Sequence, residues 1–162
     1  TDSFVTTNWQ NAFILNDAGS QSDYYASSGI NVSGNTMMAY VWAPIPGYSS
    51  FGTYVGHNNS DGVNNGTFVY CGFRPAFILT KCVTAGSDWI IVDSTRDTTN
   101  PSRQYLSVNQ TDQESTMTGE GFDILSNGFK IQQGGSFIGD AGQTYLYWAF
   151  AENPFQSPTT AR

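Results

Sequence analysis

The stretch Gly142–Phe155, GQTYLYWAFAENPF, decides the fold class of this chain. From Thr144 to Phe150 its residues are mostly β-branched, aromatic or otherwise apolar, and no charge appears before Glu152. An apolar, aromatic run of this length between turn residues is typical of a strand in a sandwich core, because a helix would need a longer, amphipathic spacing. The stretch therefore predicts one long buried β-strand that stops near Pro154.

Side chains alternate between the two faces of such a strand. One face carries three large apolar side chains, Leu146, Trp148 and Phe150. The other carries two tyrosines and two alanines, Tyr145, Tyr147, Ala149 and Ala151. Because both faces are large or apolar, we expect the strand to be central in its sheet or buried at an interface. A lone sandwich buries only one face of each sheet, so we expect the tyrosine face to need cover from another copy of the chain.

An earlier stretch, Gly34–Tyr48, GNTMMAYVWAPIPGY, repeats this pattern. Thr36 and Thr144 are 108 positions apart (144 − 36). The same offset joins further pairs: Gly34 with Gly142, Ala43 with Ala151, Pro46 with Pro154, Trp42 with Phe150, Tyr40 with Trp148 and Ile30 with Ile138. A repeat at one spacing indicates two copies of one domain type. We predict the C-terminal part of a preceding unit over residues 1–46 and a complete unit over residues 47–162, with equivalent strands at 34–46 and 142–154.

Short apolar runs separated by turn residues fill the rest of the chain. Further strands are predicted over residues 13–15, 51–55, 68–71, 76–83, 88–94, 104–108, 121–125, 128–132 and 136–138. No window shows sustained helical periodicity with caps. Strands of about five to eight residues with turns roughly every ten residues indicate an all-β fold, an antiparallel β-sandwich or jelly roll.

The composition is that of a β-protein with a surface rich in hydroxyl and amide groups. Charged residues make up 12% of the 162 residues, against roughly 25% in average soluble domains, while 15% are aromatic and can bury a core. The net charge is −7, and the six lysines and arginines are spread singly, whereas nucleic-acid binding needs clustered basic residues. No apolar run approaches the ~18 residues of a membrane span. We expect neither nucleic-acid binding nor membrane insertion.

The N-terminus, TDSFVTTNWQ, begins without Met and without the basic and apolar regions of a signal peptide. A chain of this length supports one full domain and part of a second. We interpret it as a fragment or a processed product of a longer protein.

His57 is the single histidine, so any Ser-His-Asp or Cys-His device must use it. It stands in a loop of Asn, Gly, Asp and Ser residues, and the chain has no G-x-S-x-G elbow. The neighbouring Asn59, Asp61 and Gly62 resemble the start of a calcium loop, but an EF-hand needs Glu at its twelfth position, where Phe68 stands. We expect a surface loop here; a looser calcium site built on Asp61 and backbone carbonyls is the alternative.

Six carboxylates are candidates for a catalytic pair, because a glycosidase needs two carboxyl groups held about 5–10 Å apart. They are Asp88, Asp93, Asp112, Glu114, Glu120 and Asp123. Nothing in their spacing distinguishes them from solvated surface charges. The sequence therefore assigns no catalytic residue, no cofactor-binding residue and no metal ligand, and we expect neither an enzyme nor a cofactor.

Exposed aromatic side chains can stack on sugar rings, and a sandwich is a common scaffold for that purpose. The candidates by residue type are Trp9, Tyr24, Tyr25, Tyr48, Tyr54 and Tyr70. The alternative is that these side chains fill sheet faces or subunit contacts. Cys71 and Cys82 flank the turn-like GFRP; we expect two small buried hydrophobic residues, with a disulfide as the alternative.

Five motifs in this order resemble a known family: YVGHNNSDG from Tyr54, FVYCGFRPAFILTKC from Phe68, DWIIVDSTRD from Asp88, DILSNGFKI from Asp123 and TYLYWAFAENPF from Thr144. They are similar to the repeated β-domain of unknown function in tail-fibre and other virion proteins of bacteriophages, many of them marine. The resemblance covers residues 51–162, and the stretch before Tyr48 resembles the end of a preceding copy. The chain departs from the family pattern in an extended loop at residues 64–66 and in its two cysteines.

The resemblance implies a non-enzymatic structural and adhesive module of a virion, from the C-terminal region of a tail fibre or similar appendage. It implies an extracellular particle protein that assembles with itself, most simply as a homotrimer, and with other virion proteins. We expect residues 1–46 to make part of the self-contact, and a host cell-surface glycan is a further expected partner. Two rival hypotheses are a lectin-like carbohydrate-binding domain and a polysaccharide-degrading enzyme. The family brings no catalytic residue to this chain.

Overall fold

The computed structural model describes residues 40–57, 66–132 and 137–154. Within these residues the chain forms no helix, and so none that could cross a membrane. Its strands are β1 (Ser49–Val55), β2 (Phe68–Tyr70), β3 (Pro75–Cys82), β4 (Trp89–Asp93), β5 (Gln104–Ser107), β6 (Ser115–Thr116), β7 (Gly121–Leu125), β8 (Gly128–Gln132) and β9 (Thr144–Ala151). The prediction of an all-β fold is confirmed.

The strands form two antiparallel sheets. The larger sheet has six strands in the order β1-β9-β3-β4-β5-β6, and the smaller has three in the order β2-β8-β7. The long strand β9 pairs with β1 on one side and with β3 on the other. The prediction of a central strand at Thr144–Ala151 is therefore confirmed, and the two sheets pack as a sandwich.

The core lies between the two sheets. The larger sheet contributes Tyr54, Ile78, Cys82, Ile90, Val92, Tyr145, Tyr147 and Ala149, and the smaller contributes Val69, Phe122, Ile124, Phe129 and Ile131. Phe129 is the centre of the aromatic packing, because its ring lies 5.5 Å from Tyr147, 5.8 Å from Phe122 and 6.1 Å from Tyr54. All three contacts are edge-on, an arrangement that aromatic rings favour.

The tyrosine face of β9 is thus the core face. The prediction that Tyr145, Tyr147 and the alanines need cover from another copy is wrong, since the smaller sheet of the same chain covers them. Burial is tolerated because the hydroxyl groups have partners. The Tyr145 hydroxyl accepts a hydrogen bond from the Asp140 N–H at 2.9 Å, and the Tyr147 hydroxyl lies 3.1 Å from the Ser50 hydroxyl. The face that points away from the core is the one with Leu146, Trp148 and Phe150.

Eight of the predicted strands are confirmed, with ends that differ by at most three residues. The predicted strand at 136–138 is wrong for Phe137 and Ile138, which form a turn. Ile138 is fully buried, and its carbonyl accepts a hydrogen bond from the Tyr54 hydroxyl at 2.8 Å. Its apolar side chain is therefore part of the core, although the residue belongs to no strand. The short β6 lies in a stretch whose polar sequence predicts only a connector.

The β7–β8 hairpin forms as predicted, with Ser126 and Asn127 in its turn. Gly128 opens β8 directly opposite Tyr70 of β2. A Cβ at Gly128 would collide with the carbonyl oxygen of Val69, so only glycine lets β2 approach this closely. The residue after β2 is tied to the same hairpin, because the Cys71 N–H donates to the Asn127 carbonyl at 2.9 Å.

The chain divides into two compact units, Thr1–Trp42 and Ala43–Arg162. In the first unit only Tyr40–Trp42 are described, and the rings of Tyr40 and Trp42 stack at 6.1 Å. The predicted strand is wrong for residues 40–43, which lie outside any strand; a strand needs a ladder partner, which an apolar pattern does not supply. Residues 13–15 and 34–39 lie outside the described residues. The division at residue 46 stays a prediction.

Candidate interaction surfaces

The outer side of the six-stranded sheet forms a continuous apolar surface, which we call the aromatic face. It consists of Phe51, Phe77, Leu79, Trp89, Ile91, Leu106, Leu146, Trp148 and Phe150. Strand register explains it, because one row of directly opposed residues crosses five strands: Phe51, Trp148, Leu79, Ile91 and Leu106. Directly opposed side chains of neighbouring strands lie on the same side of a sheet and touch one another.

Aromatic rings join the strands across this face. Phe150 lies 5.7 Å from Phe51 and 5.8 Å from Phe77, and Tyr48 packs against it at 5.9 Å. Trp148 lies 6.4 Å from Phe51 and 6.1 Å from Trp89. All five contacts are edge-on, so the face is an ordered surface in which each ring restrains its neighbours.

Every residue of the aromatic face is partly exposed except Leu79, which is 7% exposed. Two charged side chains interrupt this face. Lys81 lies opposite Leu146 and Trp89 and donates to the Ser87 carbonyl. Asp93 lies opposite Phe77, 3.4 Å from Arg96. The face of an antiparallel sheet that points to water ordinarily carries polar side chains. This face has instead the composition of an interface.

The outer side of the three-stranded sheet differs, and we call it the small-sheet face. Its members are Phe68, Tyr70, Asp123, Leu125, Lys130 and Gln132. Tyr70 is 67% exposed and Phe68 is 45% exposed. Lys130 lies between Phe68 and Asp123 in the strand register, and the Gln132 amide donates to the Asp123 carboxylate. Two exposed rings and a polar half therefore share one side of this sheet.

The structure separates the sequence-predicted aromatic candidates. Tyr70 lies exposed on the small-sheet face. Tyr54 is buried in the core, where its ring stacks on Tyr145 at 5.1 Å, so it is excluded as a surface candidate. Burial also raises the pKa of Tyr54 well above its ordinary value. Tyr48 is partly buried against Phe150 at the margin of the aromatic face. Trp9, Tyr24 and Tyr25 lie outside the described residues.

The histidine loop gives no further site. His57 is exposed just beyond β1, and Asn59, Asp61 and Gly62 lie outside the described residues. In the part of the chain that is described, no cluster of three or more His, Cys, Asp or Glu residues could hold a metal ion.

The predicted carboxylates are held mostly by local partners. The Asp88 carboxylate accepts hydrogen bonds from the amides of Gln110 at 3.0 Å and Asn109 at 2.9 Å, and these bonds lower its pKa. Asp93 and Glu114 both pair with Arg96, at 3.4 Å and 2.7 Å. Asp112 is exposed. These contacts order loops around the larger sheet, and of the predicted carboxylates they bring Asp93 and Glu114 together on the Arg96 guanidinium.

One carboxylate pair escaped the sequence analysis. Burial and then the negative charge of Asp140 raise the pKa of Glu120 to about 7. The Glu120 Oε2 atom is buried without a hydrogen-bond partner. The two residues are 20 positions apart (140 − 120), in loops that precede β7 and β9. No local signal could have indicated their proximity, which results from the packing of two loops.

The cysteines are free thiols. Cys82 is a core residue, as expected of a small buried hydrophobic side chain. Cys71 is half-buried against the core, and burial raises the pKa of its thiol to about 11, although a hydrogen bond with Ser50 lowers it. A thiol with so high a pKa is mostly protonated at neutral pH and reacts slowly.

The described part of the chain is an antiparallel β-sandwich module with two dissimilar outer faces. A family model matches residues 3–154 of the chain, and its description is a domain of unknown function, DUF7483. The chain belongs to this family. Neither curated proteins nor solved structures give a match.

Proposed function

We propose that this chain is a non-enzymatic structural and adhesive module of a bacteriophage virion, part of a tail fibre or similar appendage that attaches the particle to its host. The sequence resemblance to virion β-domains motivates the biological setting. The observation that carries the assembly role is the aromatic face. The protein in this proposal acts on the outside of the cell, as part of a particle.

The aromatic face suits self-association for a physical reason. Contiguous exposed apolar surface is costly in water and marks sites of protein contact. Permanent interfaces resemble a domain core that has been cut in half, with aromatic residues at the centre and charges at the rim. The aromatic face has an apolar centre of this kind, and its charged side chains, Lys81 and Asp93, lie in the two rows that flank the central row from Phe51 to Leu106. Homo-oligomers generally close by cyclic symmetry, and we propose a homotrimer in keeping with the resemblance.

The self-association is tested with a charge placed at the centre of this surface. Ile91 lies in the row between Leu79 and Leu106 and makes none of the aromatic ring contacts. We expect the unaltered chain to sediment as an oligomer at micromolar concentration. Ile91→Glu should shift it towards the 17.7 kDa monomer, because a carboxylate in an apolar contact loses its hydration without gaining a partner.

Ser126→Glu, in the exposed hairpin turn, is the matched control and should leave sedimentation unchanged. Leu106→Glu is a second variant nearer the sheet margin, in case Ile91→Glu fails to fold by circular dichroism. An unaltered chain that sediments as a folded monomer at every concentration contradicts the assembly proposal.

The virion setting needs a separate measurement. An antibody raised against the chain should label an appendage of purified phage particles in electron micrographs. Mass spectrometry of the same particles should recover peptides such as the one that follows Arg103. Absence of the chain from purified particles, with presence in the cell lysate, overturns this part of the proposal.

A further inference from the structure

Two neighbouring aromatic side chains stand exposed on the edge strand of the smaller sheet. Tyr70 is 67% exposed and Phe68 is 45% exposed, while Val69 between them is buried. Residues two apart on a strand lie on one side, roughly 7 Å from each other. The two rings therefore form a short row along β2, where a flat apolar ligand surface can rest on them.

The Tyr70 ring is positioned by the backbone beside it. The site that a Cβ would occupy at Gly72 lies 3.6 Å from the Tyr70 hydroxyl oxygen and 3.8 Å from Cε1. Gly72 has φ of +81°, in the left-handed region that glycine adopts without strain. Its N–H donates to the Asn127 carbonyl at 3.1 Å. The turn under the ring is thus tied to the β7–β8 hairpin, and a ligand meets a ring that is already in place.

The residue opposite Tyr70 adds no side chain beside the ring. Gly128 is the register partner of Tyr70 on β8, and the backbone of β2 occupies the position that a Cβ of Gly128 would take. Hydrogen-bonding groups lie on the neighbouring hairpin. The side chains of Ser126 and Asn127 are exposed in the hairpin turn, and Lys130 and Gln132 follow along β8.

The charges on this side of the sheet determine what kind of ligand fits. Lys130 and Asp123 are directly opposed, so the cation and the carboxylate offset each other. The whole chain carries a net charge of −7, which repels polyanions. An uncharged ligand with an apolar flat side and several hydroxyl groups matches these features. A neutral hexopyranose has this chemistry, because its C–H groups form an apolar face and its hydroxyls ring the edge.

We propose that the small-sheet face binds uncharged glycans, with Tyr70 as the stacking platform, Phe68 as its extension and the hairpin amide of Asn127 as a hydroxyl partner. The site deepens the adhesive part of the proposed function by naming the class of partner. It rests on side chains remote in the strand order from the aromatic face, since β2, β8 and β7 form a separate sheet.

Saturation-transfer NMR on the intact chain tests the site. The probes are the methyl glycosides of glucose, galactose, mannose and N-acetylglucosamine, with N-acetylneuraminic acid as the anionic arm. We expect transfer to the ring protons of at least one neutral probe and none to the anionic one. Tyr70→Ala should weaken that binding roughly tenfold, whereas Tyr70→Phe should keep most of it, because stacking needs the ring and not the hydroxyl.

Tyr40→Ala is the matched control, since Tyr40 is also an exposed tyrosine, at 74%. Binding that Tyr70→Ala leaves unchanged, binding lost in Tyr40→Ala alone, a preference for the anionic probe, or no binding of any probe each overturns the proposal. Sedimentation of Tyr70→Ala separates the two proposals: a glycan-binding defect with unchanged oligomerisation supports two independent surfaces. A simultaneous loss of oligomerisation assigns Tyr70 to the subunit contact and overturns the glycan site.

Discussion

The two outer faces of the sandwich have the same strand geometry and opposite chemistry. On the larger sheet, the row from Phe51 to Leu106 contains no polar side chain over five strands. On the smaller sheet, the row of Phe68, Lys130 and Asp123 combines an exposed ring with two charges, beside the row of Tyr70, Gly128 and Leu125. A continuous apolar surface gains free energy by excluding water against another apolar surface, whereas a mixed surface selects a ligand that has both apolar and hydroxyl groups. This difference is the reason that we propose a different kind of partner for each face.

The largest expected effect concerns the part of the aromatic face that also holds the sheet together. Phe150→Ala should lower the free energy of unfolding by about 2–4 kcal/mol, because its ring contacts Phe51, Phe77 and Tyr48. Urea unfolding measured by fluorescence gives the value. Val108→Ala, at an exposed apolar position, is the control and should cost less than about 0.5 kcal/mol. A loss for Phe150→Ala no larger than that of the control would show that this face serves contacts with other molecules only.

A second prediction concerns the pH dependence of stability, which should differ from that of self-association. Glu120 has its pKa raised to about 7 from 4.5 by burial and by Asp140. Between these two pH values the folded chain holds a proton that the unfolded chain has released, so this group makes stability fall as pH rises from about 4.5 to 7. After allowance for its partial exposure to solvent, we expect a contribution of about 1 kcal/mol.

Glu120→Gln should therefore stabilise the chain by about 1 kcal/mol at pH 8 and by close to nothing at pH 4.5. Thermal unfolding at a series of pH values measures the difference from the unaltered chain, and Asp112→Asn, at an exposed position, is the control. Self-association through apolar groups should change little over the same range. An equal gain at both pH values contradicts the assignment to Glu120 ionisation.

The smallest expected effect is at the small-sheet face. Tyr70→Ala and Phe68→Ala should each change the free energy of unfolding by less than about 0.5 kcal/mol, since both side chains are exposed and the fold gains little from them. Urea unfolding of both variants, with Phe150→Ala for comparison, gives the measurement. A loss above about 1.5 kcal/mol for either variant would mean that the ring is a structural part of β2, and the contrast between the two faces would be lost.

The local pattern predicted the strands well, because alternation and turn residues are properties of short stretches. It predicted the turn of the β7–β8 hairpin from Ser126-Asn127-Gly128, and the central place of β9 from the large or apolar side chains on both of its faces. It failed at Phe137 and Ile138, where apolar residues enter the core from a turn. It also missed β6, whose two polar residues form a strand only because β5 lies beside them.

The exposed residues of the two candidate surfaces were harder to predict from the sequence than the strands. Tyr54 and Tyr70 are both tyrosines of short strands, and nothing in the sequence near either of them indicates which one is buried. Tyr54 donates its hydroxyl to Ile138, 84 positions along the chain (138 − 54). Tyr70 lies beside the Gly72 turn and is 67% exposed. Burial of a tyrosine depends on whether a distant group meets its hydroxyl, and that is a property of the folded chain.

By itself the sequence determined that this chain forms antiparallel strands, where most of them begin and end, and that β9 carries large side chains on both sides. Only the tertiary structure decided which side of β9 faces the core. Alternation divides the residues of a strand into two sets, but it does not state which set meets the second sheet. The tyrosine set became the core because Ser50 and the Asp140 N–H reach its hydroxyls. The other set forms the outer surface and consists of Leu146, Trp148 and Phe150. Its side chains have no polar atom except one indole N–H.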